Sequence, residues 1–517
     1  MADKKIDDCL STKNGHLFIE QLNTVDIVKE YGTPAFVISE NQLRRNIRRF
    51  QKGFESHWPA GPVKIMPAAK ANWISAIQKI IADENCGCDI YSAGEFSVAL
   101  RAGFDPQFIS VNGVPKGKDH IFRAVKERAR ITIDGIEEID AIEHAAKELN
   151  IAAKVRLRVR PAVEGFTKYS DFIPTGPLST DLVALAYKGG LPRDAVISIG
   201  KRIMRSRHVD LVGFHQHHGR HDASTRYWEE QMKAYTKEIG IVSQALDNFQ
   251  PKEISIGGGF ACPRDPFASE VKFSEPYEYL FLHLLSKALS PFPKLRYPIL
   301  SKILEKVVVF KPKGKMAPSI EEYAEVCGKT LREHLPINGI KIKGLMLQTE
   351  PGRSLHGNTG IHLTRIMSLK PMNYPIKWKQ AAIDTTEFWF TGGRYEHHVY
   401  DYIFANKTEQ ELVEKMDVLG RSCYGDRLFP AIMVPGDLKI GDIMAMLDVG
   451  AYQEVSMSNF NAMPRPATLL VYQDKLSVIR QAETEEDVFR RDLIPEHLQM
   501  KEGSKPDITS SIGENAA

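Results

Sequence analysis

From residue 34 onward the sequence alternates short β-branched or apolar runs with stretches of helical periodicity, and this limits the folds open to the chain more than any other feature. Phe36-Val37-Ile38 precedes a segment, 41–54, with apolar residues at helical spacing. Ile65 falls in the next run, and 72–81 forms the next helix. Ser110-Val111-Asn112 leads to a helix near Lys118, and Ile131-Thr132-Ile133 leads to a Glu-rich helix over 137–148. Runs at 155–159, 211–214 and 253–256 continue the pattern. Repeated strand–helix units, with polar residues where the strands end, predict an α/β fold: a (β/α)8 TIM barrel, with a doubly wound sheet as the competing arrangement.

After about residue 365 the texture changes. Runs at 380–383, 433–435, 443–447 and 467–471 are short, separated by Gly, Pro and Asp, and not followed by long helices. They predict a C-terminal β-rich domain, a barrel or sandwich. Stretches 161–200 and 291–340 are long for barrel loops and read as extra elements near the mouth or at a subunit contact. Charge narrows the partners: 68 basic and 65 acidic side chains leave only +3, no field for nucleic acid or membrane. No run reaches the ~20 apolar residues of a membrane span, and the charged first ten residues lack a signal peptide's apolar segment. Six cysteines are too few for a disulfide framework, and Cys86 with Cys88 lacks a partner pair for zinc, so no metal is expected. A cytoplasmic, reduced protein acting on a small molecule fits.

Polar residues collect where the runs end. Lys70 closes Ile65-Met66-Pro67-Ala68-Ala69, where a charge must be paired or lost. Its small neighbours leave room for an imine with pyridoxal phosphate; the plain alternative is a strand-end lysine whose stem reaches water. His215, His217, His218 and His221 follow another run. They suit a metal site short of carboxylates, or loop histidines. Since His215 and His217 point to one side of a strand, they also suit one ring lying on a planar cofactor with the other in support. Arg220 nearby suits a phosphate. Gly257-Gly258-Gly259 offers backbone N–H groups to an oxyanion, or a tight turn, and lacks dinucleotide or P-loop spacing. Glu350-Pro351-Gly352-Arg353 supplies a carboxylate for a pyridinium nitrogen and an arginine for phosphate or substrate carboxylate, or else a structural ion pair. Gly420-Arg421-Ser422-Cys423-Tyr424-Gly425-Asp426 gathers a thiol, a phenol and a carboxylate in one turn. Asp448-Val449-Gly450-Ala451-Tyr452 and Ser458-Asn459-Phe460-Asn461 follow.

In this order, from Tyr31-Gly32-Thr33-Pro34 to about Glu483, these segments resemble the fold-type III pyridoxal phosphate enzymes, most closely the diaminopimelate/ornithine decarboxylase family. Lys70-Ala71-Asn72, Gly87-Cys88-Asp89 with Ser92-Ala93-Gly94-Glu95, and His217 with Gly219 are among the specific parts. The resemblance implies an alanine racemase-like fold and pyridoxal 5'-phosphate as cofactor. Lys70 would hold it as an imine, His217 would stack on its ring and Glu350 would bind its ring nitrogen. Gly258, Gly259, Gly352, Arg353 and Tyr452 match positions at or near the phosphate, with Asp89 and Arg220 also toward the cofactor. It implies a head-to-tail homodimer in which Cys423 and Asp426 of one β domain complete the other subunit's barrel site. The corresponding division is 1–42 as an N-terminal segment joining the β domain, 43–365 as the cofactor-binding barrel, 366–497 as the C-terminal β domain and 498–517 as a disordered tail.

The implied activity is that of a lyase of amino-acid metabolism, decarboxylating an amino acid at its α carbon. Lys70, Cys423, Asp426, Glu350 and His217 would be catalytic, with Cys423 reprotonating the product. Arg353, Arg394, Tyr424, Asp426 and Phe460 are the expected substrate contacts. An amino-acid racemase or epimerase of the same fold, using Lys70 and Tyr424 as opposed acid and base, is the alternative; such racemases set an arginine where this chain has Glu350. A carrier that only holds the cofactor would not need the Cys423–Asp426 turn. The family's Cys-Glu-Ser turn is Cys423-Tyr424-Gly425 here, a common tyrosine is Pro67, a phosphate-side serine is Arg220, and Phe460 replaces a tyrosine. These departures count against meso-diaminopimelate and against simple ornithine without nominating a replacement, and the expected substrate class is a diaminopimelate-like, basic or conjugated amino acid.

Overall fold

The computed structural model describes residues 4–161, 189–217, 224–262, 283–306, 317–373, 377–390 and 400–498. It opens with an antiparallel meander of β1 (Lys4–Asp7), β2 (Leu10–Lys13), β3 (His16–Ile19) and β4 (Leu22–Asn23). Strands of two to four residues are too short to leave a period-2 signal, so the sequence did not announce them. Next comes β5 (Ala35–Ser39), buried along its whole length.

The chain enters the barrel through a helix, Glu40–His57, rather than through a strand. Ser39 caps it by accepting the Gln42 N–H at 3.0 Å, and its apolar face buries Leu43, Ile47, Phe50 and Phe54. Eight strands follow: β6 (Val63–Ile65), β7 (Cys88–Ile90), β8 (Ile109–Val111), β9 (Arg130–Ile133), β10 (Ala153–Arg158), β11 (Val209–His215), β12 (Glu253–Ser255) and β13 (Met346–Thr349). They pair in parallel, in the order β6-β13-β12-β11-β10-β9-β8-β7. The ring closes where the Gly87 and Asp89 N–H groups donate to the carbonyls of Ile65 and Pro67 at 2.8 and 3.0 Å. Each of the two stretches expected to hold extra elements also carries all or part of a barrel helix, and the second holds a further helix, Pro293–Lys306. Arg193–Arg205 follows β10, and Ile320–Ile337 packs against both Thr225–Ala245 and Glu40–His57. Residues 162–188 lie outside the described residues. Prolines obscured this part of the pattern: Pro298 lies within the helix Pro293–Lys306 and Pro336 in the last turn of Ile320–Ile337.

Beyond the barrel the chain turns to strands: β14 (Gly360–Met372), β15 (Trp378–Ile383), β16 (Tyr402–Phe404), β17 (Leu412–Leu419), β18 (Phe429–Pro435), β19 (Ile443–Met446), β20 (Ala467–Tyr472) and β21 (Lys475–Arg480). The long β14 pairs through its first half with β5 and β19 and through its second half with β15. The order is β18-β17-β15-β14-β5-β20-β21, with β16 on β19. β5 is therefore central to this second sheet although it precedes the barrel in sequence. Its side chains serve three cores: Val37 and Phe36 enter two cores of the second domain, and Ile38 joins the barrel core.

Candidate active site

A cavity of about 180 Å³ opens where the barrel strands end, lined by Lys70, Asp89, Asn112, Arg158, His215 and Glu350 among others. Lys70 sits in a single turn, Ala69–Ala71, directly after β6; its alanine neighbours are buried while Lys70 itself is exposed. Glu350, the residue after β13, is buried on the floor. Its Oε1 accepts from Ser255 Oγ at 2.9 Å and Asn112 Nδ2 at 3.1 Å, and its Oε2 meets His215 Nε2 at 3.0 Å. Asn112 Nδ2 also donates to Asp89 Oδ1 at 2.7 Å, so one amide serves two carboxylates.

Burial governs the charges here. It pushes Glu350 up, opposed first by the Arg156 guanidinium and then by the Ser255 and Asn112 hydrogen bonds. Burial, then repulsion from Glu350, pushes Asp89 up to about 7, with the Lys70 ammonium pulling it back. Burial, with Arg156 and Arg158 close by, holds His215 well below its ordinary range. A neutral ring facing a carboxylate donates through Nε2. Arg158 is itself tied to Asp134 at 2.6 Å.

The glycine and His217 segments meet on one side. His217 Nδ1 accepts the Gly258 N–H at 3.1 Å, so that amide, expected at a phosphate, orients the histidine ring in this structure. A Cβ on Gly258 would run into the Glu350 carbonyl, and Gly257 has a φ of +70°; the run is a close-approach device. Tyr452, at φ +68°, donates its backbone N–H to the Ala71 carbonyl at 2.7 Å. Its hydroxyl lies where a Gly352 side chain would be, and the Arg353 guanidinium lies 5.0 Å from its ring centre. Asn72 Nδ2 reaches the Gly450 carbonyl at 3.3 Å. The lysine turn and the Asp448–Tyr452 segment are thus sewn together. Ser92 and Glu95 form a capping box on the helix Ala93–Ala102, which explains that motif in physical terms.

The second-domain residues form their own cluster. Cys423 is exposed, its N–H donates to Asn461 Oδ1 at 3.1 Å, and Asn461 Nδ2 lies 3.2 Å from its Sγ. Asp426 is buried, and its oxygens accept the backbone N–H groups of Glu387 at 2.5 Å and Ser422 at 2.7 Å. Expected as a catalytic and substrate group, it is occupied here in building the turn. Phe460 stacks on Phe388 at 4.0 Å, and the ring of exposed Tyr424 stands edgewise to both. Cys423, Tyr424, Asp426 and Phe460 do not line the cavity with Lys70. Arg220 and Arg394 lie outside the described residues. Asn112, Arg158, Tyr91 and Glu95 line the cavity although the sequence had not nominated them as site residues. Asn112 and Tyr91 stand just past β8 and β7 and Arg158 ends β10, the strand-end rule that picked out Lys70 and could have found them.

An amine at the rim, a carboxylate on the floor and Gly352 set between Arg353 and the Tyr452 hydroxyl fit pyridoxal phosphate. The family model described as pyridoxal-dependent decarboxylase, pyridoxal binding domain, matches residues 40–295. Among curated relatives, the diaminopimelate decarboxylase of Methanocaldococcus jannaschii is 26% identical over 498 residues, covering 95% of this chain and 98% of that protein. The diaminopimelate decarboxylase of Staphylococcus aureus is 28% identical over 475 residues, covering 90% and 94%. The crystal structure of the M. jannaschii enzyme in co-complex with L-lysine matches with a TM-score of 0.76 at 23% identity, over 95% of this chain and 99% of that one.

Proposed function

This chain belongs to the fold-type III pyridoxal-phosphate-dependent decarboxylases, and from that premise we propose that it releases the α-carboxylate of a diaminopimelate-like amino acid as CO2. The observation that carries the reading is Glu350, a carboxylate fixed on the cavity floor by Ser255, Asn112 and His215. When bound, pyridoxal phosphate supplies an electron sink at the substrate's α carbon. Lys70 would hold it covalently, Glu350 would face its ring nitrogen and His217 its ring. Gly259, Gly352, Arg353 and Tyr452 would surround its phosphate. A carboxylate at the ring nitrogen keeps that nitrogen protonated and the sink strong, which decarboxylation needs more than racemisation does. Asp89, poised near 7 beside the Lys70 ammonium, can take up a proton that Lys70 releases.

The product needs a proton at its α carbon, and Cys423 is the donor in this reading. Because Cys423 does not line its own chain's cavity, the working unit is a homodimer with each Cys423 turn closing the partner's barrel. The substrate's distal group then lies between Tyr424 of one subunit and the barrel mouth of the other. The absence of a glutamate in the Cys423-Tyr424-Gly425 turn leaves room for a distal group other than a bare amine. Six free cysteines support a reducing, cytoplasmic setting, and no described helix is long and apolar enough to cross a membrane. The test is CO2 release across a panel of L- and D-amino acids including meso-diaminopimelate. Gas from a diaminopimelate-like acid is expected; loss of stereochemical purity without gas would replace the decarboxylase with a racemase.

A further inference from the structure

Arg156 lies on β10 with its side chain wholly inside the barrel, two residues before Arg158 at the cavity wall. A guanidinium there must be met by acceptors on every side. It donates to Gln348 Oε1 at 2.5 Å, to Thr132 Oγ1 at 3.0 Å and to the Ser110 hydroxyl, and Asn112 Oδ1 stands 3.4 Å away. Carboxylates lie farther off, Glu253 at 3.8 Å and Glu350 at 4.0 Å. Ser110 Oγ also donates to Asn112 Oδ1 at 2.9 Å. The Asn112 oxygen is therefore claimed from the Arg156 side, and its nitrogen faces Asp89 and Glu350. With the amide reversed, an oxygen would stand between two carboxylates and an NH2 against a guanidinium. Both faces would repel.

We propose that Arg156 is a positioning residue of this site: by fixing the Asn112 amide, it holds the N–H pair that lets Asp89 and Glu350 share the buried floor. Other charged or titratable groups facing that floor are Lys70 after β6, Cys88 on β7, Glu95 from the helix Ala93–Ala102, Asp134 after β9, Arg158 on β10, His215 on β11 and Tyr235 from the helix Thr225–Ala245. Arg156 is first among the groups that oppose the burial of Glu350. Only the turnover arm of the test rests on the proposed decarboxylation.

Arg156→Met removes the cation at similar length. The acid limb of kcat/KM against pH should move up by about one unit as the floor carboxyls hold their protons longer. In the cofactor-free protein, a carboxyl whose folded pKa is raised binds a proton on folding. The stability this supplies is lost as pH rises, so Tm should fall more steeply from pH 6 to 8 in the variant than in the parent. Arg156→Lys should recover most of both. Asn112→Ala should give the same shift, and the double variant should add nothing to it. A lower Tm with the limb and slope unchanged, or additive shifts, would overturn the proposal. Arg156→Gln replaces Met if the latter does not fold, with the same expectations. The cofactor-free arm needs no substrate, so an error in the proposed reaction would leave it intact.

Discussion

The barrel floor and the Cys423 turn hold their reactive groups in opposite ways. On the floor, buried side chains hold one another through Asn112, His215 and Ser255, and burial leaves Asp89 and Glu350 easier to protonate and His215 neutral. At the turn, Cys423 and Tyr424 are exposed, and the buried carboxylate, Asp426, is tied to backbone N–H groups. One half is organised by charge on a largely buried floor and the other by the shape of a loop. The loop side can gain a low-dielectric setting only from what docks against it.

The largest effect should come from Lys70→Ala, which would abolish both the yellow colour of bound cofactor and all turnover. Colour lost with turnover kept would break the barrel half of the comparison. Cys423→Ala should lower kcat by roughly 10²- to 10⁴-fold, as for loss of a general acid, with the cofactor spectrum unchanged. Mixing the Lys70→Ala and Cys423→Ala proteins should restore activity through hybrids with one intact site. No recovery despite demonstrated subunit exchange would place both halves in one chain. Asp426→Ala removes two acceptors from the turn and should cost on the order of 2 kcal/mol of stability, read from urea unfolding, while kcat falls with the loosened Cys423.

Asn461→Ala sharpens the contrast further. Losing its contacts to Cys423 should lower kcat about 10-fold, the worth of roughly one hydrogen bond, while alanine at the left-handed backbone of this residue, φ +58°, should cost on the order of 1 kcal/mol of stability. The finest test, read from the pH dependence of stability alone, is Asp89→Asn. With its folded pKa near 7, above the unfolded value, Asp89 makes the native state lose stability as pH climbs through that range. The Asn variant should therefore lose less Tm than the parent between pH 5 and 8, by a few degrees at most. Equal slopes would mean that burial does not govern the charges on the floor.

Much of the barrel could be read in the sequence because its units repeat. The runs around Ile65, Ser110, Ile131, Val155, Leu211 and Ile254 each lie in or beside a strand of the structure, and polar residues at the ends of four of them, Lys70, Asn112, Arg158 and His215, meet at the cavity. What stayed hidden depends on direction. The sequence shows a carboxylate at Asp426 but not that both its oxygens turn back to Glu387 and Ser422. It shows Gly258 but not that its N–H serves His217. Arg156 reads as one more charge in a mixed strand, since nothing in its neighbours says which side chains face the barrel axis.

The placement of β5 has a consequence for biosynthesis. Roughly 320 residues separate β5 from its partner β14, and β20 follows later still. At about 5–20 residues per second, a ribosome delivers β14 some tens of seconds after β5 has left it. Throughout that interval a strand with every residue destined for burial has no sheet to join, while the barrel between them is still being made. Newly made chains should be at their most aggregation-prone then, and should depend most on chaperones that shield extended apolar segments.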